Sequence, residues 1–212
     1  MTAALVDRPV TGTVDVTPQV PLDGRLARSA RTFFAVVDAL LGLIQEGNLR
    51  PTAAQVAERA GVSRRSVYLH FDNIVALLAA AADRHAVRTA DLWVGPSSQL
   101  PLDERIDELV RRWSVALEEV SPIRRALSLH RDTSAGAARC LRLARESAVG
   151  ELERVFAPEL RERNPHARAE LLCAVEMTTS WSMWEQLRRQ QGLPVDEAIA
   201  VMARMLRCLF AS

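Results

Sequence analysis

Two adjacent arginines, Arg64 and Arg65, stand in a segment that contains no Asp or Glu from Arg59 through Phe71. A guanidinium carries its donors in a rigid fork, so it pairs bidentately with guanine edges or with phosphate oxygens. The segment therefore has residue types that contact DNA, although a plain helical hairpin with a solvated arginine face is the alternative. On a helix its outward side and borders would carry Arg64, Arg65, Ser66, Tyr68, Leu69 and His70.

Capping patterns predict that these residues lie on the second of two short helices. Thr52 follows Pro51 and precedes Gln55 by three residues, which is the spacing of a capping box. Gly61 then ends the first helix, because glycine adopts positive φ without steric cost, and Ser63 can cap the second helix. This is helix-turn-helix spacing, which places the start of the second helix in the major groove. The apolar side chains available for a shared core are Val56, Ala57, Ala60, Val62, Val67 and Phe71.

The overall composition is that of an ordinary globular protein rather than a polybasic one. The 212 residues are 49% hydrophobic and 25% charged, with 27 basic residues, all of them Arg, against 26 acidic residues. This near-zero net charge excludes attachment to nucleic acid or membrane by bulk charge. Between positions 24 and 73, however, 7 Arg face 4 Asp or Glu, so this part of the chain is locally basic.

The rest of the chain predicts an all-α fold. Apolar residues recur at helical spacing from Ser29 to Ile44, and no stretch alternates like a strand. Residues 1–23 lack either periodicity and are predicted to form a flexible arm. Further helices are expected over about 73–93, 102–119, 122–129, 135–156, 166–191 and 194–210, separated by Pro and Gly.

The region around the two short helices resembles the TetR family of transcriptional regulators. The similarity lies in the Thr52 start, in VAERAGVS from Val56 to Ser63, and in the pairs Val67–Tyr68 and His70–Phe71. It extends over about residues 29–80, and beyond them only the helical architecture matches. The resemblance implies an N-terminal three-helix DNA-binding domain with its connecting helix over 24–90. A larger helical domain for ligand binding and dimerisation would cover 91–212.

The resemblance also implies roles for individual residues. Arg64, Arg65, Ser66 and Leu69 would face bases of a palindromic operator in double-stranded DNA, and Thr52, Tyr68 and His70 would contact phosphates. The family often has Lys at the start of the next helix, where this chain has Ile74. Asn73 or the helix N-terminus is expected to replace that phosphate contact.

Two C-terminal segments, 167–187 and 198–210, carry apolar residues on more than one side. Such helices must be covered on most faces, so they favour a homodimer with a four-helix interface over a wholly intramolecular core. A mainly apolar effector is expected to bind nearby, and the alternative is that the same side chains form the core. The predicted ligand-binding residues are Trp113, His130, Met177, Thr178, Trp181 and Trp184.

Other classes of function find little support in the sequence. It contains no GxSxG, HExxH, Walker-type or dinucleotide motif, so we expect no enzyme and no cofactor. The scattered Cys140, Cys173 and Cys208 predict neither disulfides nor a metal site. No signal sequence or membrane span is apparent, so a cytoplasmic protein is expected. A helical adaptor that binds acidic proteins remains the alternative to a DNA-binding regulator.

Overall fold

The computed structural model describes residues 24–211, apart from the side chain of Arg25, and the predicted flexible arm lies outside these residues. The predicted all-α fold is confirmed, because the described part of the chain is helical without strands. A 3-10 turn spans Ala90–Trp93 and a π-helical turn spans Gln186–Gln190. The helices are α1 Gly24–Gln45, α2 Ala53–Ala60, α3 Arg64–His70, α4 Ile74–Arg88, α5 Leu102–Ser128, α6 Ala135–Val155, α7 Ala157–Arg161, α8 Pro165–Thr179, α9 Trp181–Glu185 and α10 Val195–Phe210.

The small core predicted beneath the two short helices is confirmed. Val56, Ala57, Val67 and Phe71 are buried together against the inner face of α1, and Ala60 and Val62 pack at the edge of the same cluster. Helix α1 begins at Gly24 rather than at Ser29. It contributes the buried side chains of Val36, Val37, Ala39, Leu40, Leu41 and Ile44.

The predicted helix boundary at Ser121 and Pro122 is wrong, because α5 runs through both residues. An interior proline removes one backbone hydrogen bond at a cost of roughly 3 kcal/mol. The buried side chains of Val120 and Ile123 on either side of the proline offset this cost by packing in the core. The hydroxyl of Ser121 donates to the Leu117 carbonyl at 2.7 Å within the same helix.

The single helix predicted over 166–191 is also wrong, because the chain leaves helical geometry at Ser180, where φ is −67° and ψ is 152°. Just before this break, the hydroxyls of Thr178 and Thr179 donate to the carbonyls of Ala174 and Val175, both at 2.9 Å. Such side-chain bonds compete with the helical ladder and favour a break. Ser180 then caps α9 by accepting from the Met183 backbone N–H at 3.1 Å.

A second hydrophobic cluster fills the distal half of the molecule between α5, α6, α8, α9 and α10. Its largest fully buried side chains include Trp113, Trp184, Phe156, Met202 and Leu206. No helix of residues 24–211 is both long enough and apolar enough to cross a membrane.

Helix α4 joins the two halves of the molecule. On one side Arg84 of α4 forms a bidentate pair with Asp38 of α1, at 2.8 and 3.0 Å. On the other side Asp83 of α4 accepts a bond from Arg139 of α6 at 2.6 Å. The first cluster also continues beyond α4, since it includes Val120, Ile123, Ala126, Leu127, Ala137 and Cys140. A movement of α6 against α5 would therefore act directly on α4 and the short helices.

Candidate DNA-binding surface and ligand cavity

Both short helices begin at the predicted caps. The Thr52 hydroxyl accepts from the Gln55 backbone N–H at 3.3 Å, and the Gln55 side chain accepts from the Thr52 N–H at 2.9 Å, which completes the capping box. The Ser63 hydroxyl accepts from the Ser66 N–H at 3.1 Å. The turn between the helices is made by Gly61, whose φ is +66°. These local bonds fix the direction in which α3 projects from the molecule.

The outer face of α3 has the character of a binding surface. Arg64 and Arg65 are exposed, and neither takes part in an ion pair within the described part of the chain. Leu69 is 72% exposed and Tyr68 is 54% exposed. Two uncompensated guanidinium groups beside exposed Leu and Tyr side chains suit contacts with base edges and phosphates.

The remaining residues predicted to bind DNA lie at the edges of this face. Thr52 is exposed at the start of α2, and Ser66 is partly buried, with its hydroxyl 2.9 Å from that of Ser63. The His70 ring is partly buried edge-on against Phe33, with centroids 6.0 Å apart. Asn73 caps α4 by accepting from the Ala76 N–H at 2.9 Å. All eight residues predicted to bind DNA therefore lie on α3 or at the starts of the neighbouring helices α2 and α4.

An ion pair that the sequence analysis did not consider holds α2 against α1. Arg59 donates to both carboxylate oxygens of Glu46, at 2.5 and 2.7 Å, and the pairing lowers the pKa of Glu46. The guanidinium lies across Gly42, where an added Cβ would stand 2.7 Å from it. Gly42 therefore gives Arg59 the room to cross α1.

We expect Gly61→Ala to lower the free energy of unfolding by about 1–2 kcal/mol, because an L-residue is strained at positive φ. The new Cβ would meet no atom within 4 Å, so the loss would come from the backbone alone. Gly150→Ala is the matched control, since Gly150 lies within α6 with equally open space. It should raise stability by about 0.5–1 kcal/mol. Urea denaturation measures both changes, and equal stability of the two variants would contradict the assigned role of Gly61.

The structure brings together only part of the predicted ligand-binding set. Trp113, Met177 and Trp181 line a cavity of about 230 Å³ between α5, α6, α8 and α9. The residues of the set that do not line it are His130 in the turn after α5, Thr178, and Trp184. The indole N–H of Trp184 donates instead to Glu118 at 2.8 Å.

A larger cavity of about 420 Å³ lies between α4, α5 and α6, beside the first one. The side chains of Trp93, Arg124, Leu141 and Ala148 line both cavities. The wall of the larger cavity is mostly apolar but also includes His85 and Cys140. Burial raises the pKa of the Cys140 thiol to about 11, so this thiol is protonated at neutral pH and is a poor nucleophile.

We expect the titration of His85 to lower the free energy of unfolding in mild acid. Burial lowers the pKa of His85, and this outweighs the opposing effect of the Glu119 carboxylate, while Arg88 adds to the lowering. Since an unfolded histidine has a pKa of about 6.5, protons bind the unfolded state preferentially as the pH falls below that value. The free energy of unfolding should therefore decrease as the pH falls from about 6.5 toward the pKa of His85 in the folded protein.

Urea denaturation at pH 7.5 and pH 5.5 tests this expectation. Wild type should lose more stability between the two conditions than His85→Leu, in which the titrating group is absent. Phe is not suitable as a replacement because it adds volume to a position that is 4% exposed. The same loss in both proteins would assign the acid sensitivity to other groups.

Arg124, His85 and Trp93 were not predicted from the sequence to line a cavity. One signal was present in the sequence: Arg124 follows Val120 by four residues and precedes Leu127 by three. Both neighbours are buried, so the arginine occupies a position next to the apolar face of α5. The misplaced break at Pro122 separated these residues into different predicted segments and hid the pattern.

The capped turn, the packed α1 support and the cationic outer face of α3 define a helix-turn-helix DNA-binding protein. Residues 36–81 match the family model described as bacterial regulatory proteins, tetR family. Residues 36–81 therefore belong to the DNA-binding domain of this family, and the family match ends within α4. No curated protein matches the sequence at a significant level.

Solved structures of regulators share the fold over most of the chain. A tetR-family transcriptional regulator from Streptomyces coelicolor aligns with a TM-score of 0.63 and 18% identity, over 86% of this chain and 78% of that one. A transcriptional regulator from Rhodococcus sp. Rha1 aligns with a TM-score of 0.65 and 14% identity, over 86% and 96%. A transcriptional regulator from Pseudomonas aeruginosa PAO1 aligns with a TM-score of 0.61 and 16% identity, over 91% of this chain and 94% of that one. At these identities the likeness concerns the fold alone.

Proposed function

We propose that the protein is a ligand-responsive repressor that acts in the cytoplasm. It binds a palindromic operator as a homodimer, through residues 24–90, and is released when a small, mainly apolar molecule binds within residues 91–212. The observation that carries the proposal is the outer face of α3, where Arg64 and Arg65 are exposed without an ion-pair partner in the described chain.

In this proposal Arg64, Arg65, Ser66 and Leu69 face bases, while Thr52, Tyr68, His70 and Asn73 hold the phosphate backbone. The exposure of Leu69 supports its role, because an apolar side chain at the groove floor gains contact with a thymine methyl group. Asn73 has its side-chain oxygen engaged in the α4 cap, so its amide N–H groups are the donors left for phosphate.

Dimerisation is assigned to the outward faces of α8 and α10. Ala169, Cys173 and Met177 recur every fourth residue on α8 and are all exposed. Small side chains allow two helices to approach closely, and an exposed Met adds apolar area. A two-fold axis through these helices would place the two α3 helices in successive major grooves of a palindrome.

Release by a ligand is supported by the larger cavity, whose wall includes residues of α4, and by the smaller cavity that adjoins it. A molecule that binds one arrangement of α4, α5 and α6 more tightly than another shifts the population toward the first arrangement. The resulting change in operator affinity is limited by the ratio of the two binding affinities, typically about 5–150-fold. The cavity residues Trp113, Met177 and Trp181 would contact an apolar effector from the α8 side. His130, Thr178 and Trp184 would act by holding the surrounding helices.

Selection of bound genomic fragments tests the proposed function. The protein should enrich one pseudo-palindromic sequence, and its affinity for that sequence should fall steeply with salt. A helical adaptor for acidic proteins would enrich no fragment and would show no preference between the selected site and a scrambled one. Genes beside the enriched fragments would then be compared for expression with and without the protein, and increased expression in its absence indicates a repressor.

A further inference from the structure

The cavity of about 420 Å³ between α4, α5 and α6 carries a charge that no carboxylate of residues 24–211 balances. Its volume is within the range of small-molecule sites, and its wall is mostly apolar. Arg124 lines it and forms no ion pair within residues 24–211. The guanidinium carbon lies 5.8 Å from the centroid of the Trp93 ring, which forms part of the same wall.

Burial makes this guanidinium unusual for an arginine. Its pKa is lowered to about 10 by desolvation, so it remains charged at neutral pH although water no longer solvates it fully. A desolvated charge without a partner is costly, and an opposite charge at hydrogen-bond distance removes that cost. An anion that enters the cavity therefore gains an interaction with Arg124 that no carboxylate of the described residues provides.

A second polar group in the wall has one ring nitrogen without a hydrogen-bond partner in the described part of the chain. His85 is 4% exposed, and its Nε2 atom makes no hydrogen bond in the described part of the chain. The nearest carboxylate oxygen, on Glu119, is 4.0 Å away, beyond hydrogen-bond distance. Buried polar atoms in proteins are usually hydrogen-bonded, so this nitrogen is available to a molecule bound in the cavity.

The other charges around the two cavities do not neutralise Arg124. Asp83 lines the larger cavity, but Arg139 donates to it at 2.6 Å. Glu176 lines the smaller cavity, and Arg145 donates to it at 2.7 Å. Because Asp83 and Glu176 are engaged by arginines and Glu119 lines neither cavity, the cavity region favours an anion over a cation.

We propose that this cavity binds an organic monocarboxylate with an apolar body. The carboxylate pairs with the Arg124 guanidinium and accepts a hydrogen bond from His85 Nε2, while the apolar body lies against Ala86, Leu141 and Ala144. The inference rests on the proposed ligand response and names the chemical class of the effector. A neutral molecule of the same shape would leave the guanidinium unpaired.

The probes for the test are straight-chain fatty acids of six to twelve carbons and the two naphthoic acids, each paired with its methyl ester. Calorimetry and Trp emission at pH 7.5, without DNA, give the two dissociation constants. At least one acid should bind at least about 10-fold more tightly than its ester, as expected for a charge-assisted hydrogen bond. Equal affinities for every acid and ester, or no binding by any acid, would overturn the proposal.

Arg124→Met is the decisive variant, with Arg111→Met as its control. Arg111 lies on the same helix, is exposed and is outside both cavities. Arg124→Met should abolish the preference for the acid, whereas Arg111→Met should retain it. Without ligand, Arg124→Met should melt at least about 2 °C higher than wild type, because the unpaired charge is gone. A preference for the acid that persists in Arg124→Met would overturn the assignment.

These binding measurements are separate from the test of DNA recognition. If an acid binds through Arg124 but leaves operator affinity unchanged, the carboxylate site is supported and the proposed release of the operator by a ligand is contradicted. If operator binding is specific but no acid binds, the proposed DNA recognition is supported and the carboxylate site is contradicted. His85→Leu in the same assay should weaken the acid more than the ester, and equal weakening of both would remove His85 from the site.

Discussion

Arg64→Ala and Arg65→Ala should each reduce affinity for the selected operator by about 1–3 kcal/mol per half-site. A dimer carries the change twice, so the expected total is roughly 2–6 kcal/mol, or a loss of at least about 30-fold. The loss arises because each arginine is exposed on α3, and no carboxylate of residues 24–211 occupies its donors. Quantitative gel-shift or fluorescence-anisotropy titrations at fixed salt give the constants.

Two comparisons show whether the loss concerns base recognition. Arg111→Ala removes an equally exposed arginine far from α3 and should bind the operator like wild type. Tyr68→Phe should weaken the operator and random DNA about equally, because a phosphate contact carries no sequence information. If both Arg64→Ala and Arg65→Ala bind the operator like wild type, α3 is not the helix that reads DNA.

Cys173→Glu should convert the dimer into a monomer and lower operator affinity by about 10²–10⁴-fold. Cys173 is exposed in the middle of the outward face of α8, where a dimer would bury two like charges together. In a dimer, binding of one subunit raises the effective concentration of the other at the second half-site. Two monomers that bind the half-sites independently lose this gain. Sedimentation equilibrium at micromolar concentration should give twice 23.4 kDa for wild type and 23.4 kDa for the variant.

The choice of position depends on the structure. Leu206 belongs to the apolar pattern of α10, but it is fully buried within the subunit, so a charge there would test folding rather than dimerisation. Val94→Glu is the control, because it replaces an exposed apolar residue outside α8 and α10. A wild-type protein that sediments as a stable 23.4 kDa particle would refute the dimer.

The helix-turn-helix could be predicted from the sequence because its signals are local. Thr52, Ser63 and Gly61 each act on backbone groups within four residues, and the structure places each in the predicted role. Capping and positive φ depend little on the rest of the fold. The exposed face of α3 then follows from helical periodicity.

The distal half could not be predicted in the same detail, because its boundaries depend on tertiary packing. Pro122 is a strong local break signal, yet packing on both sides of it keeps α5 continuous. The break at Ser180 comes without Pro or Gly. Cavities are harder still, since Arg124 and His85 meet only when α4, α5 and α6 pack together.

The hydrophobic cluster that runs from α1 through α4 into α5 and α6 limits how this regulator can be recombined. A chimera that exchanges the N-terminal helices at residue 90 would cut through a continuous core, leaving Val120, Ile123 and Ala137 against foreign side chains. An exchange limited to the outer positions of α3 leaves that core intact. Under the proposed function, operator specificity would therefore be altered by replacing exposed residues of the seven-residue α3, and not by transplanting the domain.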